Sequence, residues 1–188
     1  MVIPEIRDKV RTVVTSKRFE HILGVAETAA MLGTIYDVDP VKCEIAGLLH
    51  DCAKCYADDE LLRMCDDAGI FLSNDLRSSP QLLHAVYGPT EAAVRYGITD
   101  NEILSSIRYH TTGKKNMTRL EQIVFVADYI EPHRDKAKDL TTLRILSVSD
   151  IDLCTAMILR DTIEYLTYRK TRIDTDTLEA FEFYKKHL

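Results

Sequence analysis

Apolar residues recur along most of the chain at spacings of three and four, the period of a helix with one buried face, and alternating β-branched runs are absent. The pattern predicts an all-α fold. Pro4 opens a first helix to about Val14, and a second covers about Lys17 to Tyr36 with Val25, Ala29 and Leu32 on one stripe. Asp39 and Pro40 supply an N-cap and a first-turn proline for the helix that runs through Ile45-Ala46-Gly47-Leu48-Leu49 to His50 and Asp51. Asp58 to Ala68 reads as a short helix closed by Gly69, and Phe71 to Ser79 as a loop. Pro80 then starts a helix that includes His84, is interrupted at Gly88-Pro89 and ends at Gly97. Asp100 caps the helix leading to His110, and Thr118 with Glu121 forms a capping box for an apolar helix ending near Asp128. A segment of moderate helical character follows, then a long helix capped by Ser149 and reaching about Lys170, and a last one from about Thr175 to His187. No repeat, low-complexity tract or linker divides the chain, so residues 1–188 are expected to form one domain.

The 188 residues suffice to bury a substantial core without disulfide staples. A net charge of −6 argues against a nucleic-acid binder or an anionic-membrane binder, so any anionic substrate has to meet a local basic patch. The N-terminus Met1-Val2-Ile3-Pro4-Glu5 has no signal-peptide character and no apolar run approaches the roughly 18 residues of a membrane span, which makes a cytoplasmic location the expectation. Five cysteines, an odd number, are expected to be reduced thiols. Cys52 and Cys55 have Cys-x-x-Cys spacing, but with neither a second pair nor a βαβ context they read as small, soft residues packed behind the His50-Asp51 pair.

That pair carries the chemistry. Neighbouring residues on a helix point about 100° apart, so an imidazole and a carboxylate there share one small object only if it sits close to the backbone. A metal ion is such an object, and these are the ligand types that hold Zn, Mn, Fe, Co or Ni. His21, His84, His110 and Asp128 come from other predicted helices and can complete a shell, as helical bundles build cofactor sites from facing helices. A lone histidine on an amphipathic helix is more often an ordinary hydrogen-bonded residue, and salt bridges from Lys or Arg are the rival way to satisfy Asp51 and Asp128.

The blocks His21-Ile22-Leu23-Gly24-Val25, Ala46 through Lys54, Leu83-His84, His110-Thr111-Thr112-Gly113 and Ala127 through Arg134 follow one another in an order that resembles the HD superfamily of metal-dependent phosphohydrolases. In finer detail they resemble the YqeK family, the symmetrical bis(5′-nucleosyl)-tetraphosphatases. The resemblance spans about Arg18 to Arg134, and implies an HD-type helical bundle with a core at 17–134 and added helices at 135–188. It implies that His21, His50, Asp51 and Asp128 bind a first divalent metal, expected to be iron, with Mn, Co, Ni or Zn as alternatives. His84 and His110 match positions that hold a second metal or contact phosphate. Arg18, Lys54, Thr111, Arg134 and Arg172 are candidates for the substrate, although Arg172 also reads as a helix-end cation that complements the dipole. Lys54 and Arg134 alternatively pair with Asp58 and Glu131. His133 and His187 read as surface residues, and Tyr56, Tyr87, Tyr109 and Tyr129 read as core more readily than as base-stacking groups.

The implied reaction is hydrolysis of a dinucleoside tetraphosphate such as diadenosine tetraphosphate to two nucleoside diphosphates. Its rivals are an HD nucleotidase, a cyclic-nucleotide phosphodiesterase, or a non-catalytic sensor that binds metal and nucleotide. Oligomeric state and the choice between adenine and guanine stay open at this point.

Overall fold

A computed structural model describes residues 2–188, and among them there are helices and no strands. The elements are α1 (Ile3–Val13), α2 (Ser16–Ile35), α3 (Pro40–Leu49), α4 (Asp58–Asp67), α5 (Asn74–Arg77), α6 (Leu83–Tyr96), α7 (Asn101–Tyr109), α8 (Arg119–Ile130), α9 (Leu140–Ser149), α10 (Ile151–Tyr168) and α11 (Thr175–Tyr184). Single 3₁₀ turns at Pro80–Leu82 and Lys185–His187 precede α6 and follow α11. No described helix is long and apolar enough to cross a membrane.

The hydrophobic pattern explains the layering. Every residue of α8 from Leu120 to Ala127 is buried, so this helix has no solvent face and serves as the central rod of the bundle. Its start is held by the expected capping box, in which Thr118 Oγ1 accepts from the Glu121 amide and the Glu121 carboxylate accepts from the Thr118 amide at 2.7 Å. Around it pack α2, α3, α7 and α10, with Ile22, Leu48, Ile107 and Ile158 among the fully buried side chains. A smaller apolar cluster of Ala53, Leu61, Cys65, Leu72, Leu83 and Val86 joins α4 and the start of α6 beside His84.

α2 and α3 approach each other very closely at Gly47. A Cβ built there would lie 2.7 Å from Ala26 Cα and 3.0 Å from Ala26 N, both backbone atoms that cannot rotate aside. The contact lies three residues before His50 and five after His21, and so sets the distance between the helices that carry those imidazoles.

Several local expectations are corrected. The segment Phe71–Ser79 contains the short helix α5, capped by the Ser73 hydroxyl, which accepts from the Leu76 amide at 3.2 Å. α6 runs unbroken through Gly88-Pro89. A proline disfavours helix at the preceding residue by crowding its Cβ, and Gly88 has none; the same lack of a side chain admits Ile107 of α7, whose Cγ2 would be 2.7 Å from a Cβ. The cap of α10 is Asp150, which accepts from the Leu153 amide, while Ser149 is the last residue of α9 and returns its hydroxyl to Ile145 O. All five cysteines are free, and Cys52 packs in the core as expected, but Cys55 is exposed because the chain turns outward after Lys54.

Gly47→Ala tests the close approach. Alanine gains about 1 kcal/mol of helix propensity, but overpacking against backbone costs about 1–3 kcal/mol. The overpacking cost less the propensity gain leaves a net loss of stability of up to about 2 kcal/mol, read as a lowered denaturant midpoint; a higher midpoint would contradict the contact.

Candidate metal centre

The ends of three helices meet at one point. His50 is the C-cap of α3, His110 is the C-cap of α7, and Asp128 stands in the last turn of α8. The final carbonyls of a helix have no intrahelical partner, and here two of them are taken by the histidines themselves: His50 Nδ1 donates to Gly47 O and His110 Nδ1 to Ile107 O, each at 2.7 Å. The same bond built twice turns both Nε2 atoms inward with their lone pairs free. Helix C-termini carry partial negative charge, so their convergence favours a cation.

His21 enters from the second turn of α2, with Nε2 3.2 Å from His50 Nε2 and 3.2 Å from Asp128 Oδ1. Its Nδ1 donates to Glu131 Oε1 at 3.2 Å. Glu131 is almost fully buried and also accepts the His133 amide at 2.6 Å. Gly24 makes room for it, since a Cβ there would stand 2.6 Å from Glu131 Oε2. Arg144 of α9 pins this turn by donating to the carbonyls of Ile130, Glu131 and Arg134.

Asp51 lies between two pairs of imidazoles. Its Oδ2 is 3.6 Å from His50 Nε2 and 4.0 Å from His21 Nε2, while Oδ1 is 3.2 Å from His84 Nε2 and 3.5 Å from His110 Nε2. Two groups with metal-ligand spacing result, His21-His50-Asp51 and Asp51-His84-His110, sharing the one carboxylate. Asp128 joins the first through His21 and, at 3.9 Å, His50. His50, Asp51, His84 and His110 are each 4% exposed or less, a concentration of buried polar groups that an apolar core does not tolerate without partners.

The electrostatics suit a cation. Burial pushes the His50 imidazolium down to about 4 against the pull of Asp51, and burial also lowers His84, so both rings are neutral donors of a lone pair near pH 7. Burial opposes ionisation of Asp51, but His50, His110 and His84 outweigh it and hold the carboxyl well below its ordinary value. For Asp128 burial is likewise overcome, by His21, His50 and Arg134, and the carboxyl stays ionised. His21 differs: burial works against its charge, yet Asp128 and Glu131 raise it above 6.5. A donor set of imidazoles and carboxylates fits a divalent ion of the borderline transition-metal type.

The expected substrate cations sit at the rim. Arg18 Nη1 donates to Asp51 Oδ2 at 2.7 Å, and Arg134 Nη2 donates to Asp128 Oδ1 at 2.9 Å, so the salt bridges weighed as a rival from sequence exist alongside the imidazoles. Arg134 therefore pairs with Asp128 and not with Glu131. Lys54 Nζ is 3.0 Å from His84 Nδ1 and does not pair with Asp58. Burial draws its ammonium below 10.5, with Asp51 opposing and Arg18 reinforcing that shift. Thr111 Oγ1 lies 2.9 Å from His110 Nε2. Arg172 shares no hydrogen bond or ion pair with the cluster; it is exposed and pairs with Asp75 of α5 at 2.5 Å.

His133 and His187 are exposed, as read from sequence, whereas Tyr56, Tyr87, Tyr109 and Tyr129 are half-buried and not core side chains; Tyr56, Tyr87 and Tyr129 pack against the apolar clusters from outside. Beside His21 opens a cleft of about 440 Å³, walled by Lys17, Arg18, Arg134 and Lys136 among others. Sequence reasoning missed the part played by Glu131: its position three residues after Asp128, one helical turn on, was the available signal.

Comparison with known proteins agrees with this geometry. The HD domain matches residues 18–133. The symmetrical bis(5′-nucleosyl)-tetraphosphatase of Staphylococcus aureus is 38% identical over 178 residues, covering 89% of this chain and 87% of its own length. The protein of the same name from Halalkalibacterium halodurans is 35% identical, covering 89% and 88%. A crystal structure of a predicted HD superfamily hydrolase involved in NAD metabolism, from Clostridium acetobutylicum, superposes with a TM-score of 0.95 at 34% identity over 100% of this chain and 99% of that one. With its histidines and aspartates gathered at one buried point and this likeness running nearly end to end, the chain belongs to the HD-domain hydrolases, in the family of the symmetrical bis(5′-nucleosyl)-tetraphosphatases.

Proposed function

We propose that the chain hydrolyses dinucleoside tetraphosphates, with diadenosine tetraphosphate as the representative substrate, at the centre of the phosphate chain to give two nucleoside diphosphates. The observation that carries this reading is the row of four imidazoles, His21, His50, His110 and His84, bridged by Asp51 and flanked by cations at both ends. The names of the relatives supply the substrate class.

His21, His50, Asp51 and Asp128 would hold the first ion, iron by the resemblance to this family, and Asp51 with His84 and His110 would hold a second ion or meet a phosphate oxygen. A divalent ion held by these residues would supply a water activated for attack on phosphorus and would draw charge from the phosphoryl oxygens. The protein's own groups do the rest. Arg18 and Arg134, with Lys17 and Lys136 beyond them in the cleft, receive phosphate at the His21 end, and Lys54 with Thr111 receives it at the His84 end. A tetraphosphate laid along this row has its central bridge over the cluster, with a nucleoside diphosphate on either side. Such a diphosphate is a good leaving group, so stabilising its developing charge matters more than a strong general acid. Glu131 keeps the His21 proton on Nδ1 and thereby the Nε2 lone pair toward the ion.

Two outcomes follow. Diadenosine tetraphosphate should yield ADP as the sole nucleotide product, and hydrolysis in heavy-oxygen water should label one ADP of each pair; equal amounts of ATP and AMP would show off-centre attack. Glu131→Gln, which keeps the shape but weakens the acceptor for His21, should lower metal affinity by about 10–100-fold with the fold intact by circular dichroism. Unchanged affinity in a metal titration would remove Glu131 from the site.

A further inference from the structure

The two ends of the imidazole row open onto unlike surroundings. Beyond Lys54 and His84, Tyr56 and Tyr87 meet edge to face with ring centroids 6.5 Å apart, and both pack on the apolar cluster around Leu72 and Leu83. Beyond His21 lies the cleft of about 440 Å³, and no Tyr, Phe, Leu, Ile, Val or Met is among the residues that wall it. It holds four cations instead, Lys17, Arg18, Arg134 and Lys136. Arg18 and Arg134 are anchored by Asp51 and Asp128, and Arg134 Nε is buried with no hydrogen-bond partner of its own. Lys17 and Lys136 are exposed and share no ion pair among the described residues. A nucleobase is held by apolar and aromatic surface with a few polar groups to orient it, whereas a phosphate is held by guanidinium and ammonium donors. By that measure one end of the row suits a base and the other suits phosphate alone.

We propose that the cleft beside His21 recognises a diphosphate without its nucleoside, so that the chain also hydrolyses nucleoside 5′-tetraphosphates to a nucleoside diphosphate and pyrophosphate. The inference rests on the central-cleavage reading above and adds that only one of the two nucleosides is needed. In adenosine 5′-tetraphosphate the anhydride bond between the second and third phosphates breaks. Water supplies the oxygen that joins one of those two phosphorus atoms, the bridging oxygen leaves with the other fragment, and one proton passes to solvent. A free terminal phosphate carries about one more negative charge than one esterified to a nucleoside, and Lys17 and Lys136 are the cations available to meet it.

The test compares two substrates on one metal-loaded preparation and adds a binding measurement. Adenosine 5′-tetraphosphate should give ADP and pyrophosphate in equal amounts, with kcat/KM within about tenfold of that for diadenosine tetraphosphate. A double variant, Lys17→Ala with Lys136→Ala, should raise KM for adenosine 5′-tetraphosphate by about tenfold, more than it lowers kcat, and should flatten the dependence of KM on salt. Pyrophosphate titrated calorimetrically should bind once per chain, and about tenfold more weakly to the double variant. The inference is overturned if a preparation that cleaves diadenosine tetraphosphate leaves adenosine 5′-tetraphosphate intact. The second nucleoside is then read as well, with the exposed carboxylates Glu20 and Asp135 of the cleft as the groups to read it. ATP and orthophosphate as products, or a double variant that binds pyrophosphate as tightly as the wild type, overturn it equally. If neither nucleotide is cleaved, the hydrolytic reading itself falls, and the pyrophosphate titration alone decides whether the cleft takes phosphate.

Discussion

The constraint on which the rest of the structure depends is the burial of a single carboxylate. Asp51 is 3% exposed, ionised, and divided between two imidazole pairs, one for each oxygen. Leaving such a charge unpaired in a low-dielectric interior costs several kcal/mol, and its neighbours are arranged as if to answer that cost: four imidazoles, one arginine at 2.7 Å, and the room for a cation between them. The imidazoles alone do not complete the balance, because burial keeps His50 and His84 neutral. Arg18 meets Asp51 and Arg134 meets Asp128 from the rim, and a cation among the imidazoles would balance the remaining buried negative charge from inside the cluster.

The bundle is built to bring this about. Gly47 lets α3 touch the backbone of α2, which fixes the spacing of His50 from His21, and α8, buried from Leu120 to Ala127, carries Asp128 to the same point. Helix ends perform double duty. The carbonyls of Gly47 and Ile107 would need a partner wherever those helices stopped, and using a histidine three residues on satisfies the backbone and aims the ring in one interaction. On the far side of the cluster, the opposite polarity of the α6 start leaves His84 without a carbonyl, and Lys54 takes that place. The differences in chemistry along the row of imidazoles thus trace to which end of a helix each residue occupies.

Much of this was legible in the sequence because it is local. The apolar run Ile45 to Leu49 placed the His50-Asp51 pair at a helix end, Thr118 and Glu121 marked the start of α8, and the order of the five blocks carried the family resemblance. What was not legible depends on pairs distant in sequence. The bonds from Arg18 to Asp51, Lys54 to His84 and His21 to Glu131 join different elements, and no pattern within a helical turn encodes them. The alternatives offered for Lys54 and Arg134 were acidic residues three or four positions away in sequence, whereas Lys54 meets His84 of α6 and Arg134 meets Asp128 at the end of α8. Gly88-Pro89 misled for a related reason: local rules break a helix there, and tertiary packing against Ile107, with a glycine before the proline, keeps it whole.

Asp51→Asn tests the central claim most directly, because the amide keeps the size of the side chain while removing the charge around which the site is organised. Metal content and hydrolysis of diadenosine tetraphosphate should be measured on the same anaerobically purified sample, with circular dichroism to follow the fold. If the buried carboxylate anchors the ion, the variant stays folded and loses bound metal and turnover together. A folded Asp51→Asn protein that keeps its metal and its full rate would contradict that claim.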